Sequence, residues 1–228
     1  MEKFELTTDR IEENGTILYR IKALIDFGDV KAGDLGGYVE KEENLSQYGS
    51  AWVSDNAFVL GNARVSDNAW VSGDTLVCGN AQVYGNAQVY GNARVSDNAW
   101  VSGDTLVCGN AQVYGNAQVY GNAQVYDNAW VSGNAQVYGN TWVCDNAHIY
   151  GNARVSGNAD YIYLKGFGSH SRSTTMFRGE NENIYVSCGC FSGTLEEFEN
   201  KVKETHGSNK FAREYLALIE AAKIHFEV

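Results

Sequence analysis

Cysteine and histidine are the residue types in this chain that could bind a metal or act in catalysis. The cysteines are Cys78, Cys108, Cys144, Cys188 and Cys190. An odd number of cysteines without the spacing of a secreted disulfide framework predicts reduced thiols in a reducing compartment. Cys188 and Cys190 could ligate a metal, but no further ligands stand at zinc-finger spacing. We therefore expect no metal site, and free thiols at Cys108 and Cys144.

His148 is the one histidine in the central part of the chain. General-base catalysis needs a histidine within hydrogen-bond reach of a substrate proton and a second group that orients the ring. The sequence assigns no such partner, and neither a phosphate-binding loop nor a nucleophile-elbow serine is found. We expect no catalytic residue and no cofactor, with His148 as a surface residue.

The elements that would position any site come from a six-residue repeat. Between residues 51 and 159 the pattern Ala-x-Val-x-Gly/Asp-Asn recurs in eighteen hexapeptides without an insertion. A period of six does not match a helix, whereas Ala-x-Val alternates with the two-residue period of a strand. Each hexapeptide is therefore a short strand followed by a corner, where asparagine and glycine tolerate left-handed backbone conformations. Stacking the strands buries one valine per hexapeptide, from Val53 to Val155.

This motif, Val-x-Gly-Asn-Ala-x, resembles the hexapeptide repeat of left-handed parallel β-helix proteins, in which three hexapeptides form one triangular coil. The resemblance implies a mainly β fold with about six coils, a prism roughly 29 Å long. The segment from Asp26 to Tyr38 is similar to the lead-in of bacterial and phage proteins labelled hexapeptide-repeat acetyltransferases. It implies an acyl-CoA-dependent acetyltransferase as an alternative function, and a bacterial or phage source.

Composition changes sharply at both ends of the repeat, which predicts three regions. Residues 1–50 form an N-terminal cap, residues 51–159 the β-helix, and residues 160–228 a small α+β domain of three strands and then two helices. Gly33, Gly36 and Gly37 are expected in turns of the cap. The predicted C-terminal elements are strands at 161–164, 174–178 and 183–187 and helices at 194–206 and 209–226.

The side chains that point outward from the β-helix are the best indication of function. On one side of the prism, which we call the first face, eight of twelve outward positions are apolar or aromatic. Monomers rarely leave such patches exposed, so this face predicts binding, although aromatic residues also simply suit strands. The candidate binding residues on the first face are Trp52, Trp70, Tyr90, Tyr126 and Trp142.

Charge and hydropathy limit the partners. The net charge of −11 argues against binding nucleic acid through its phosphates. The acidity is spread along the chain, which also disfavours a protein that imitates DNA. No apolar run approaches the length of a membrane span, and the N-terminal residues lack the layout of a secretory signal, so we expect a cytoplasmic protein without a membrane partner.

An internal duplication bears on catalysis. Residues 61–90 and 91–120 are identical, and thirty residues are five hexapeptides. With three hexapeptides in each coil, the second copy is rotated by two faces relative to the first. A residue that did chemistry on one face in the first copy would therefore lie on another face in the second. We therefore expect a non-catalytic scaffold that forms homo-oligomers and presents a surface to a protein partner.

Overall fold

The computed structural model describes residues 2–180 and 183–228. The chain begins with three strands, β1 (Phe4–Glu13), β2 (Thr16–Ala23) and β3 (Leu35–Val39). Eighteen two-residue strands follow, one per hexapeptide: β4 (Trp52–Val53), β5 (Phe58–Val59), β6 (Arg64–Val65), β7 (Trp70–Val71), β8 (Leu76–Val77), β9 (Gln82–Val83), β10 (Gln88–Val89), β11 (Arg94–Val95), β12 (Trp100–Val101), β13 (Leu106–Val107), β14 (Gln112–Val113), β15 (Gln118–Val119), β16 (Gln124–Val125), β17 (Trp130–Val131), β18 (Gln136–Val137), β19 (Trp142–Val143), β20 (His148–Ile149) and β21 (Arg154–Val155). The C-terminal elements are β22 (Tyr161–Phe167), β23 (Arg172–Arg178), β24 (Ile184–Cys188), β25 (Phe191–Thr194), α1 (Leu195–His206) and α2 (Lys210–Phe226).

Parallel pairing of repeat strands produces a three-sided solenoid. Each strand pairs with the strand eighteen residues later, so every third strand belongs to the same sheet. The first sheet has the order β4-β7-β10-β13-β16-β19, and it carries the outward residues of the first face. The repeat valines lie inside, and Val89 and Val101 are fully buried. The predicted parallel β-helix is confirmed, with about seven turns rather than six.

The corners correct one detail of the sequence interpretation. The left-handed residue is the glycine or aspartate of every hexapeptide but the last, as at Gly61 (φ 69°) and Asp67 (φ 60°). The asparagine that follows has a different role, since its side chain binds the asparagine of the next coil. The Asn62 Nδ2 donates to Asn80 Oδ1 at 3.2 Å, and Asn80 Nδ2 donates to Asn98 Oδ1 at 2.8 Å.

The N-terminal segment adds to the solenoid. Strands β1 and β2 form an antiparallel hairpin, and β3 pairs with β2 on one side and in parallel with β5 on the other. The turn expected at Gly36 and Gly37 is wrong, because both residues lie within β3. A Cβ atom on Gly36 would lie 2.5 Å from both Ile21 Cγ1 and Val53 O, so glycine is needed there for close packing.

The C-terminal part is a small domain that closes the other end of the solenoid. Its four strands form an antiparallel sheet in the order β22-β23-β24-β25, one strand more than the sequence predicted. Met176 packs among the residues of the two helices, whereas its neighbour Phe177 packs against the last coil. Helix α1 begins with the predicted capping box, in which Thr194 Oγ1 accepts from the Glu197 N–H and the Glu197 side chain accepts from the Thr194 N–H. In the described ranges, neither helix is long and apolar enough to cross a membrane.

Candidate functional site

The first face is an uncharged strip along the prism. None of its twelve outward positions carries a charged residue. The other two faces do carry charge, at Arg94 on the second sheet and at Arg64 and Arg154 on the third. Interface cores are depleted of charge and enriched in tryptophan and tyrosine. The twelve positions of the first face are Trp52, Ser54, Trp70, Ser72, Gln88, Tyr90, Leu106, Cys108, Gln124, Tyr126, Trp142 and Cys144.

The structure divides the candidate binding residues between the interior and the surface. Trp52 is only 2% exposed, because the N-terminal segment covers it and the Phe27 ring packs edge-on at 5.4 Å. Trp70 is half-buried and packs against the core. Tyr90 is 40% exposed and Trp142 is 49% exposed. Trp52 is therefore used within the chain, and the free part of the first face extends from Trp70 to Trp142.

The end of this strip near the C-terminal domain is concave. Tyr126, Trp142, Cys144 and Tyr161 line a cavity of about 360 Å³. The Tyr161 hydroxyl donates to the Trp142 carbonyl oxygen and so fixes the wall of the cavity. A hydrogen bond with the Cys144 thiol, together with burial, raises the pKa of Tyr126 to about 12. This end of the first face thus combines aromatic rings with polar hydroxyl and thiol groups, and the corner residue Asp145 adds one carboxylate to the lining of the cavity.

The internal duplication places identical sequence on different faces, as predicted from a repeat of five hexapeptides and a coil of three. Trp70 lies in the first sheet, and its copy Trp100 lies in the third. Cys78 lies on the second face, and its copy Cys108 lies on the first. Burial raises the pKa of both thiols. The chain therefore contains pairs of residues with the same local sequence on different faces.

Cys108 and Cys144 are free thiols in the structure. Strand β16 lies between β13 and β19, so the two cysteines are separated by two strand spacings. That separation, about 9.6 Å, exceeds the reach of a disulfide.

His148 lies outward on β20, where the C-terminal sheet partly covers it. Its ring stacks on Trp130 with the centroids 4.5 Å apart, and its backbone N–H donates to Thr175 Oγ1 at 3.1 Å. Burial lowers the pKa of the imidazole, which favours the neutral form. The ring borders a cavity of about 240 Å³ with Arg172 and Ser187, and the described residues that line it include no carboxylate to orient the ring.

Two further observations concern the described part of the chain. It contains no group of three histidine, cysteine or acidic residues placed to hold a metal ion. It does contain a cavity of about 380 Å³ between helix α1 and the C-terminal sheet. The sequence pattern did not indicate this cavity, because its walls come from five separate elements, β23, β24, β25, α1 and α2.

The repeat region is a hexapeptide-repeat parallel β-helix, the class that the sequence predicted. Comparison with known families adds a specific relationship. A repeat family described as "YdcK Beta solenoid repeat" matches seven overlapping segments, residues 57–73, 63–79, 87–103, 111–126, 117–133, 123–139 and 147–159.

A curated protein is similar to part of this chain. It is the "Uncharacterized acetyltransferase YdcK" of Escherichia coli (strain K12), 36% identical over an alignment of 63 residues that covers 24% of this chain and 19% of the relative. The match thus spans about a fifth of that relative's length. The similarity agrees with the β-solenoid architecture.

Proposed function

We propose that this chain is a non-catalytic β-solenoid scaffold that associates with a second copy of itself through the first face and presents its remaining surface to a protein partner. The observation that carries the proposal is the absence of charge from the twelve outward positions of the first face, in a chain of net charge −11. Two highly acidic chains repel each other, so an uncharged strip is where they can approach most closely.

The aromatic residues of the first face also support association through it. Tyr90 and Trp142 are large, partly exposed side chains of the types enriched at interface hot spots. Between Trp70 and Trp142 the strip covers four coil spacings, roughly 19 Å. An interface of that length approaches the standard size of about 800 Å² per partner when the terminal segments also take part in it.

Thiol alkylation tests the proposal with an internal control. Cleavage after arginine separates Cys78, in the peptide 65–94, from Cys108 and Cys144, in the peptide 95–154. We expect iodoacetamide to label the longer peptide more slowly as the protein concentration rises, because association covers the first face. Labelling of Cys78 on the second face should not change.

The same experiment can contradict the proposal. If Cys78 and the two first-face cysteines respond equally to protein concentration, the first face is not the surface that associates. Each peptide is compared with itself at different protein concentrations, so the different surroundings of Cys78, which lies near Arg94, and Cys108, which contacts Tyr90, do not affect the result.

An acyl-CoA-dependent acetyltransferase is the second candidate. The relative's name and the cavity beside the half-buried His148 favour it. An acetyltransferase should bind acetyl-CoA in a calorimetric titration and release CoA in the presence of an amine. Replacement of His148 by glutamine should then stop release but not binding, whereas a chain that binds no acetyl-CoA at millimolar concentration is not such an enzyme.

A further inference from the structure

A cavity in the C-terminal domain combines an apolar floor with basic walls. It lies between helix α1 and the strands β23, β24 and β25, away from the first face. Its floor is aromatic: the Phe198 ring lies 5.1 Å from that of Phe191 and 5.5 Å from that of Tyr215. Its volume of about 380 Å³ falls within the range of small-molecule sites, roughly 300 to 1,000 Å³.

The charged residues at this cavity are all basic. Arg172 and Lys201 line it together with His170 and His206, and no aspartate or glutamate is among the described residues that line it. This composition is unusual for the chain, in which Asp and Glu number 28 against 17 Lys and Arg. The cavity is therefore a positive region on an acidic protein.

Arg172 is the best placed of these groups to meet a ligand. Lys201 already forms an ion pair with Glu204 at 2.7 Å. Arg172 is half-buried and lines both this cavity and the cavity beside His148. It forms no ion pair within residues 2–180 and 183–228, and its Nη1 donates to Cys190 Sγ at 3.8 Å. A Cβ atom on Gly189 would lie within 2.2 Å of Arg172 Nη1, so the glycine turn leaves room for the guanidinium.

The floor below the guanidinium is fixed by hydrogen bonds. Thr174 Oγ1 donates to Cys188 Sγ at 3.2 Å, and Cys188 Sγ donates to the Tyr215 hydroxyl at 3.7 Å. The Tyr215 hydroxyl in turn donates to the Phe167 carbonyl oxygen at 3.4 Å. These polar atoms satisfy one another, so the floor presents mainly the faces of its aromatic rings to the cavity.

We infer that this cavity binds a small amphipathic anion, with its apolar body on the Phe191, Phe198 and Tyr215 rings and its anionic group on the guanidinium of Arg172. Guanidinium groups bind carboxylates and phosphates through paired N–H donors. Apolar lining with one charged anchor is the usual composition of such sites. This site is independent of the scaffold function proposed above.

Three probes of six carbons each test the inference: hexanoate, 1-hexanol and hexylammonium. Each is titrated into the full chain, and binding is followed by the amide ¹H and ¹⁵N shifts of Gly189 and Cys190. We expect hexanoate to bind at least about tenfold more tightly than hexanol, the gain from one charge-assisted hydrogen bond. Hexylammonium should bind most weakly, and hexyl phosphate shows whether a phosphate replaces the carboxylate.

Two arginine variants separate the site from general charge effects. Arg172→Gln should reduce hexanoate binding to the level of hexanol. Arg213→Gln removes the same charge from an exposed position of helix α2 that does not line the cavity, and it should leave binding unchanged. Arg172→Lys keeps a positive charge and should keep part of the preference.

A third variant tests the cavity without changing its floor. Thr205 is exposed at the rim, and Thr205→Trp should fill the opening and weaken hexanoate and hexanol alike. Equal binding of hexanoate and hexanol would overturn the inference. So would equal losses in Arg172→Gln and Arg213→Gln, or no shifts at Gly189 and Cys190 at millimolar hexanoate.

Discussion

At the corners of the solenoid, aspartate and asparagine stabilise the stack of coils in different ways. Asp67 has a left-handed backbone, and its Oδ2 accepts a hydrogen bond from the Gly85 N–H of the next coil at 3.1 Å. Asn68 Nδ2 donates to Asn86 Oδ1 at 3.1 Å. Many repeats thus add a side-chain hydrogen bond between coils to the backbone ladder. Aspartate replaces glycine at some corners because its carboxylate gives a partner to a backbone N–H.

A buried threonine provides a prediction at the scale of one residue. Thr75 and Thr105 occupy the same position in the two duplicated copies, and both are buried. The Thr75 Oγ1 donates to the Ser72 carbonyl oxygen at 2.6 Å. The Thr105 hydroxyl has no hydrogen-bond partner among the described residues. We expect Thr105→Val to stabilise the fold by about 1 kcal/mol, because it removes an unpaired buried hydroxyl. Thr75→Val should give no gain, because it breaks a hydrogen bond. Urea denaturation measures both; equal changes would contradict the prediction.

Lys3 predicts a pH dependence of stability. It is 2% exposed, its Nζ donates to the Ala51 carbonyl oxygen at 2.9 Å, and burial lowers its pKa to about 8. Below pH 8 both the folded and the unfolded states hold the proton, so Lys3 adds no pH dependence there. Between pH 8 and the model-peptide pKa of 10.5 the folded state has lost the proton and the unfolded state keeps it, so stability should rise with pH by up to about 3 kcal/mol.

Comparison with Lys3→Met isolates this effect. Urea denaturation of both proteins at pH 7 and pH 10 should show that wild type gains stability relative to the variant as the pH rises. The tyrosines that also titrate in alkali are common to both proteins and cancel in the difference. A difference that stays constant or falls between the two pH values would show that Lys3 is not buried as described.

Among the elements, the coil strands were predictable because the hexapeptide contains everything that each of them needs. Alternation of alanine and valine fixes which side chains lie inside, and the glycine or aspartate fixes the corner, so a local pattern determines the local structure. Pairing eighteen residues apart follows from three hexapeptides per coil. This is why the faces of Trp70, Tyr90 and Trp142 could be assigned correctly from the sequence.

The terminal elements depend on contacts between distant parts of the chain, and there the sequence pattern was weaker. Gly36 lies in a strand because Ile21 and Val53 approach its backbone, which no local pattern shows. Strand β25 is short and follows β24 after two residues, and the pattern gave only a helix start at Thr194. The basic cavity was not predicted because Arg172 and Tyr215 meet only when helix α2 folds onto the sheet.

Val101 tests the packing of a single coil. It is fully buried and pairs with Val83 and Val119 in the coils on either side. Val101→Asp should lower the free energy of unfolding by several kcal/mol, because it places an unpaired carboxylate in a dry core. Ser102→Asp changes the next residue, which points outward, and should cost far less. Thermal melting of the two variants should differ clearly, and a Val101→Asp melt like that of wild type would contradict the coil assignment.

For the whole molecule, the two ends of the solenoid are closed and its sides are not. The N-terminal hairpin and β3 cover one end, and the C-terminal sheet packs on the other through Phe177 and the Tyr150 hydroxyl, which donates to the Val186 carbonyl oxygen at 2.9 Å. Closed ends block the end-to-end stacking that exposed strand edges would favour. The association that we propose would then be lateral, through the first face, whose outward positions carry no charged residue.

Light scattering of the purified chain tests this central claim most directly. We expect wild type to be a dimer or higher oligomer at micromolar concentration, and the double variant Tyr90→Lys and Trp142→Lys to be a folded monomer, because four lysines would face one another across the interface of a dimer. The matched control replaces Tyr120 and Trp100 by lysine: Tyr120 is the duplicated copy of Tyr90, Trp100 is 43% exposed, and both lie on the third face. This control should keep the mass of wild type. A monomeric wild type, or loss of association in both double variants alike, would contradict the assignment of the first face as the interface.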